Sequence, residues 1–149
     1  MASLIEAINQ DLVKFQKAKD EIAVSSLRLL ISDVKNAQIA KGGELSDAEI
    51  VEVIAKKAKR HKESIEAYGQ AGRQDLVGKE QAELAVISKY LPKQLTDVEI
   101  EKIVDEVLSQ TEAANLGDLG KVMGQVMAKV GGQADGGRVS EIVKGKLAR

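Results

Sequence analysis

The stretch GDLGKVMGQVMAKVGG, residues 117–132, carries two opposing signals for a helix. Its apolar side chains recur at the spacing of one helical face, which is typical of an amphipathic helix. Gly120 and Gly124 nevertheless lie inside it, and an interior glycine costs a helix about 1 kcal/mol relative to alanine. On a helical wheel these glycines and Ala128 form a row beside the apolar face, which comprises Leu119, Val122, Met123, Val126, Met127 and Val130.

This glycine row allows another backbone to approach the helix closely, because no side chain stands in the way. Two interpretations follow from the residues, and they are compatible with each other. In the first, a neighbouring helix packs tightly against the row. In the second, the row is a smooth docking surface for a ligand such as a phosphate chain, bordered by Lys121 and Lys129.

The rest of the chain carries helical signals as well, and no run shows the alternation of a strand. Ser3, Ser46 and Thr96 are each followed three residues later by glutamate, which is the pattern of a capping box at a helix start. Gly42 and the single proline, Pro92, are suited to end helices. The predicted fold class is therefore all-α.

The segment YLPKQLT, residues 90–96, predicts a boundary around that proline. Residues 1–92 form an N-terminal helical domain of helical hairpins in this prediction, and residues 93–149 form a smaller tail domain. Eight of the 13 glycines fall between residues 117 and 145, so this part of the tail has few side chains to fill space. We expect three short tail helices, at about 97–110, 118–130 and 137–147.

Composition excludes several classes of protein. There is no cysteine, so disulfides and thiolate chemistry are absent, as is usual inside cells. The N-terminus lacks the basic and apolar regions of a signal peptide, and no stretch approaches about 18 consecutive apolar residues. We therefore predict a cytoplasmic protein that does not span a membrane.

Charge is distributed unevenly along a chain whose net charge is −1. Residues 1–92 carry 14 basic and 14 acidic side chains, whereas residues 93–118 carry two lysines and seven acids. Residues 119–149 reverse the sign, with six basic and two acidic side chains. The last segment is thus predicted to offer a local basic face for nucleic acid, although the whole chain is not basic.

No constellation of residues predicts catalysis. The serines are scattered, the thiol nucleophile is missing, and the turn GGQADGG at 131–137 lacks the Gly-Lys-Ser/Thr ending of a phosphate loop. This turn either caps the last helix or presents backbone N–H groups to an RNA phosphate. His61, the only histidine, lies on the apolar seam of its helix without a carboxylate on that seam, so we expect a buried or half-buried structural histidine. We predict no catalytic residue, no cofactor and no metal ligand.

Three segments resemble the GatB/YqeY family: AELAVISKYLPKQL at 82–95, the glycine–methionine pattern of 117–127, and GGQAD at 131–135. These stand-alone proteins are similar to the tail of the B subunit of the glutamyl/aspartyl-tRNA amidotransferase. The resemblance implies a helical N-terminal part with a three-helix tail. It also implies that the tail holds tRNA while other domains perform catalysis. The chain departs from the pattern at Gly137, where the family has a polar residue, so the last helix is expected to start more loosely.

The preferred hypothesis is a non-catalytic, tRNA-associated helical module. Its predicted RNA-binding residues all lie in the tail: Gly120, Lys121, Gly124, Lys129, Arg138, Lys144 and Lys146. One alternative is an accessory part of a carbon–nitrogen ligase that uses glutamine as amido donor and needs amidotransferase-like partner subunits. Another alternative is a protein-interaction adaptor that uses the N-terminal helices without RNA.

A secondary basic face is predicted in the run KKAKRHK, residues 56–62. Lys56, Lys59 and Arg60 project away from the apolar seam and could contact phosphate. The same run is also explained by a ladder of ion pairs at i, i+4 spacing, which stabilise an exposed helix without RNA. The ladder would pair Glu52 with Lys56, Lys59 with Glu63, and Lys62 with Glu66.

Overall fold

The computed structural model describes residues 3–112 and 115–148, and every regular element in these ranges is a helix. The prediction of an all-α fold is confirmed. The chain divides into two compact units, of which the first ends at Leu91 and the second begins at Pro92. In the described ranges, no helix combines the length and the apolar character needed to cross a bilayer.

Within the described residues, the first unit contains four helices, three of which start at a residue whose side chain caps the helix. The side chains of Ser3 and Ser46 form the predicted capping boxes, and the Asp20 carboxylate accepts a hydrogen bond from the Ala23 N–H. Gly42, with a φ of 81°, ends the second helix in the left-handed region that favours glycine. The helices are α1 (Leu4–Lys17), α2 (Glu21–Lys41), α3 (Asp47–Gln70) and α4 (Gln74–Ser88).

An aliphatic core holds these four helices together. Each of them contributes at least one buried side chain, and the set comprises Ile8, Leu27, Leu30, Val34, Ile50, Ile54, Ala58 and Ile87. The seam predicted for α3 is buried at Ile50, Ile54 and Ala58 and continues to His61, where the side chain is half-buried. The periodicity of apolar residues therefore identifies the inner face of α3 correctly.

The second unit contains three helices in its described residues, and short 3-10 turns lie at Leu116–Asp118 and Gly131–Gln133. Thr96 and Glu99 form the third predicted capping box, and the Leu95 N–H donates to the Gln133 carbonyl at 2.7 Å. The helices are α5 (Asp97–Thr111), α6 (Leu119–Val130) and α7 (Gly136–Leu147).

The predicted apolar face of α6 lies in the core of this unit. Val122, Val126 and Val130 are at most 1% exposed, and they pack with buried residues of α5 and α7. Leu119, Met123 and Met127 are partly buried beside them. Because the apolar face points inward, the glycine row beside it is positioned at the edge of the core or outside it.

Candidate nucleic-acid interface

The glycine row of α6 is open. Gly120, Gly124 and Ala128 are all exposed, and a Cβ atom placed on either glycine would meet no described atom within 4 Å. The interpretation in which a helix of the tail packs against the row is therefore wrong. Within the second unit, the row is a surface.

The two lysines that border this row differ in their surroundings. Lys121 is exposed, and no carboxylate of the described residues lies within 4.0 Å of its Nζ. Lys129 Nζ, by contrast, lies 3.3 Å from Glu106 Oε1 of α5. Only Lys121 therefore offers an uncompensated charge beside the glycine row.

The predicted cations of α7 are mostly paired with α5. Arg138 donates from Nε and Nη2 to the two carboxylate oxygens of Asp97, at 2.9 and 2.5 Å, and from Nη1 to Glu141 at 2.8 Å. These bonds raise the pKa of Arg138 and hold the pKa of Asp97 below its usual range. Lys146 Nζ lies 2.9 Å from Asp105 Oδ1. Lys144 has no such partner among the described residues.

The scarcity of acids within residues 119–149 therefore does not leave the cations of that segment without acidic partners. The seven acids of residues 93–118 are distant from these cations along the chain, but the fold places α5 directly against α6 and α7. Three carboxylates of α5 then neutralise three of the predicted RNA-binding cations. Lys121 and Lys144 remain as the exposed, unpaired members of that set within the described ranges.

The turn before α7 does not have the character of an anion site. Asp135 is the N-cap residue of α7, and its carboxylate lies where a Cβ of Gly137 would come within 3.1 Å of Oδ2. A negative side chain at the helix start already interacts favourably with the positive end of the helix dipole, and it repels phosphate. Glycine at 137, the position where the chain departs from the family pattern, thus leaves room for the Asp135 carboxylate.

The secondary basic face on α3 has no ion-pair partner among the residues that the structure describes. Lys56, Lys59 and Arg60 are exposed, and none of the three predicted i, i+4 ion pairs of this run is formed among the described residues. On the other side of α3, which faces α2, Lys57 does form an ion pair: its Nζ lies 2.8 Å from Asp33 Oδ2 of α2. The prediction of an ion-pair ladder is therefore wrong, and no described carboxylate lies within 4.0 Å of the three cations.

The environment of His61 also differs from the expectation in one respect. Its side chain is 12% exposed, as expected for a half-buried histidine. However, Glu80 and Glu83 of α4 approach it, with carboxylate oxygens 2.5 and 3.9 Å from Nδ1. These carboxylates lie on another helix, 19 and 22 residues further along the chain, so the residue pattern of the α3 seam gives no sign of them.

These features define an all-α protein whose described residues form a four-helix unit and a three-helix unit. Its α6 carries an exposed glycine row, and three cations of α3 have no carboxylate partner in the described part of the chain. The sequence matches the family described as Yqey-like protein over residues 5–147. The chain belongs to this family, as its resemblance to the GatB/YqeY proteins indicates.

Three similar curated proteins share one name. The chain is 30% identical over 133 residues to Altered inheritance of mitochondria protein 41, mitochondrial, of Pyrenophora tritici-repentis, a match that covers 88% of the chain and 73% of that protein. It is 31% identical over 111 residues to the protein of the same name from Lachancea thermotolerans, covering 72% of the chain and 59% of that protein. The match to the Saccharomyces cerevisiae protein, 34% over 88 residues, covers 58% of the chain and 48% of that protein.

These relatives correct the predicted location. All three are named as mitochondrial proteins, which contradicts the prediction of a generic cytoplasmic protein. The matched regions span 59% of the Lachancea protein and about half of the yeast protein, so the chain is similar to a part of each.

Proposed function

We propose that this protein is a non-catalytic RNA-binding module that associates with tRNA through its phosphate backbone. The observation that carries the proposal is the open glycine row of α6, beside which Lys121 stands without a carboxylate partner in the described ranges. Family membership supports it, because the resemblance to the amidotransferase tail implies a role in holding tRNA.

The free cations are the groups that contact phosphate in this proposal. A lysine in an ion pair must give up its carboxylate before it binds phosphate, whereas an unpaired lysine loses only solvent and counterions. Lys121 and Lys144 therefore contribute most in the second unit, and Lys56, Lys59 and Arg60 form a further contact face in the first. Lys129, Arg138 and Lys146 contribute little while they are paired with α5.

Recognition in this proposal depends on backbone and shape. The three aromatic residues, Phe15, Tyr68 and Tyr90, lie in the first unit, so the second unit itself supplies no aromatic side chain for stacking on bases. Folded RNA, which is recognised by shape and phosphate position, fits these properties better than an unpaired strand does.

The test is a titration of fluorescently labelled tRNA with the purified chain at several salt concentrations. Affinity is expected to fall as salt rises, with a log–log slope that loses about 2 in the double variant Lys121→Glu/Lys144→Glu, because two phosphate contacts are removed. The matched control is Lys17→Glu/Lys35→Glu, which changes the net charge equally on exposed helix positions of the first unit. Absence of binding at low salt, or equal losses in the two variants, would overturn the proposal.

Crosslinking in cells separates this function from the two alternatives. RNA captured by the chain supports the proposal, and glutamine hydrolysis by the purified chain contradicts it. Capture of a protein alone favours an adaptor, for which α2 offers a specific surface. Ile22 and Leu29 are 47% and 53% exposed and lie seven residues apart, which places them on one face of that helix.

A further inference from the structure

The helical hairpin of α3 and α4 brings together three side chains that suit a metal ion. They are His61 of α3 and two glutamates of α4, Glu80 and Glu83, whose spacing of three residues places both on one face of the helix. One potential ligand atom from each of the three lies within 4.8 Å of the other two. We propose that these residues form a binding site for a divalent transition-metal ion, with Zn²⁺ as the ion that the ligand set favours.

The distances agree with coordination after a small adjustment. Ligand atoms of a tetrahedral zinc ion lie about 3.4 Å apart, since each is about 2.1 Å from the metal. Nδ1 of His61 is 2.5 Å from Glu80 Oε2 and 3.9 Å from Glu83 Oε2, so these distances bracket the required separation. A rotation of the Glu80 carboxylate away from the imidazole opens the space for the ion, and the helix backbones need not move.

The charges of the cluster favour a cation. Two carboxylates with 19% and 18% of their side chains exposed face one imidazole, which carries at most a single positive charge. Lys79 is the only lysine or arginine of the described ranges within 4.0 Å of either carboxylate, and its side chain is 65% exposed. Partly buried carboxylates that lack a full complement of positive charge are costly, and a divalent ion compensates for both.

The chemistry of the ligands selects the class of ion. Mg²⁺ and Ca²⁺ prefer sites made wholly of oxygen, whereas imidazole nitrogen favours zinc and its neighbours in the transition series. Two carboxylates and one imidazole supply three ligands and leave the fourth position of a tetrahedral ion to water. The ion would join α3 to α4 near the middle of the hairpin and so stabilise the first unit.

Binding is tested on the full chain, made without a histidine tag, by calorimetric titration with Zn²⁺. The wild-type chain is expected to bind one equivalent, and Glu83→Gln and His61→Asn are each expected to weaken binding by about tenfold or more. Glu83→Gln is the sharper variant, because Glu83 lies 3.9 Å from Nδ1 and its loss leaves the His61–Glu80 hydrogen bond in place. Glu63→Gln, at an exposed position of α3, is the matched control and is expected to bind as the wild type does.

The single histidine makes a second, spectroscopic measurement decisive. Its two ring nitrogens form one set of signals in a proton–nitrogen NMR spectrum, and Zn²⁺ is expected to shift Nδ1 much more than Nε2. The same spectrum, with circular dichroism, reports whether a variant remains folded. No binding to a folded wild-type chain, or equal binding by wild type and Glu83→Gln, would overturn the site and leave His61–Glu80 as a hydrogen bond alone.

Discussion

Three basic side chains of α3 and three of α6 and α7 stand in opposite electrostatic surroundings. Lys56, Lys59 and Arg60 project from α3 without a carboxylate within 4.0 Å in the described part of the chain. Three cations of the second unit, Lys129, Arg138 and Lys146, are each paired with α5. The two sets carry equal charge, yet only the first leaves that charge uncompensated.

The difference shows that the availability of a cation depends on which helix packs beside it. α3 carries acidic residues before and after its outward cations, but in the part of the chain that the structure describes none of these acids pairs with them. α7 has few acids of its own, but the first turn of α5 supplies Asp97 to Arg138 and a later turn supplies Asp105 to Lys146. Within the described residues, positive charge therefore stays uncompensated where no carboxylate of a neighbouring helix packs beside the cation.

The largest expected effect is on RNA affinity when each set of cations is neutralised. The triple variant Lys56→Gln/Lys59→Gln/Arg60→Gln is expected to weaken tRNA binding roughly 100-fold at 0.1 M salt, because three phosphate contacts are lost. The triple variant Lys129→Gln/Arg138→Gln/Lys146→Gln removes the same charge from paired positions. It is expected to weaken binding only about threefold while lowering the melting temperature slightly. Titration of labelled tRNA, alongside thermal unfolding, measures both quantities.

Equal losses of affinity in the two triple variants would show that only net charge matters. A greater loss in the paired set would mean that RNA displaces the α5 carboxylates, and the contrast between the two surfaces would then fail. Far-UV circular dichroism on both variants ensures that the comparison is made between folded proteins.

A smaller effect is expected from filling the glycine row. Gly124→Gln places a good helix former on α6, and it is expected to raise the free energy of unfolding by about 0.5–1 kcal/mol, because an added Cβ meets nothing within 4 Å. The same side chain obstructs a phosphate backbone and is expected to reduce tRNA affinity about tenfold, or 1.4 kcal/mol. Urea unfolding and the tRNA titration measure the two effects.

Gly78→Gln is the matched control, since Gly78 is an exposed glycine inside α4 and an added Cβ there also meets nothing within 4 Å. It is expected to stabilise the protein similarly without changing RNA affinity. If Gly124→Gln stabilises the fold and leaves tRNA binding intact, the row is a bare surface that RNA does not use.

The sequence predicted the fold well because the fold depends on local signals. Each of these signals depends on residues within one or two helical turns: the caps at Ser3, Ser46 and Thr96, the helix end at Gly42, and the apolar face of α6. The surroundings of the candidate sites depend on contacts between distant segments. Arg138 and Asp97 are 41 residues apart and His61 and Glu80 are 19 apart, so neither pair could be recognised from spacing along one helix.

The exposure of the glycine row could be predicted from the sequence only in part. The helical wheel placed Gly120 and Gly124 beside the apolar face, which the structure confirms, but the wheel could not show whether a neighbouring helix covers them. The answer depends on where α5 and α7 pack. Both helices contact the valine face of α6 and leave the glycine row outside the core.

The smallest expected effect concerns the pH dependence of the Asp97–Arg138 pair. Arg138 holds the pKa of Asp97 below its usual value, so the stability that this pair contributes is fully present above the pKa of an unfolded aspartate, about 3.9, and is lost as pH falls through the lower folded value. Asp97→Asn is therefore expected to lower the melting temperature at pH 7 by less than about 3 °C. This difference from the wild type should vanish in strong acid, where protonated Asp97 is as neutral as the asparagine that replaces it.

The control is Glu101→Gln, at an exposed position of α5 that is unpaired in the described ranges. Its melting temperature should show no comparable convergence with that of the wild type. Thermal unfolding of the three proteins between pH 7 and strong acid, at low salt, tests this. A difference for Asp97→Asn that persists unchanged in acid would mean that the pair does not hold α7 to α5, and Arg138 would then belong with the free cations.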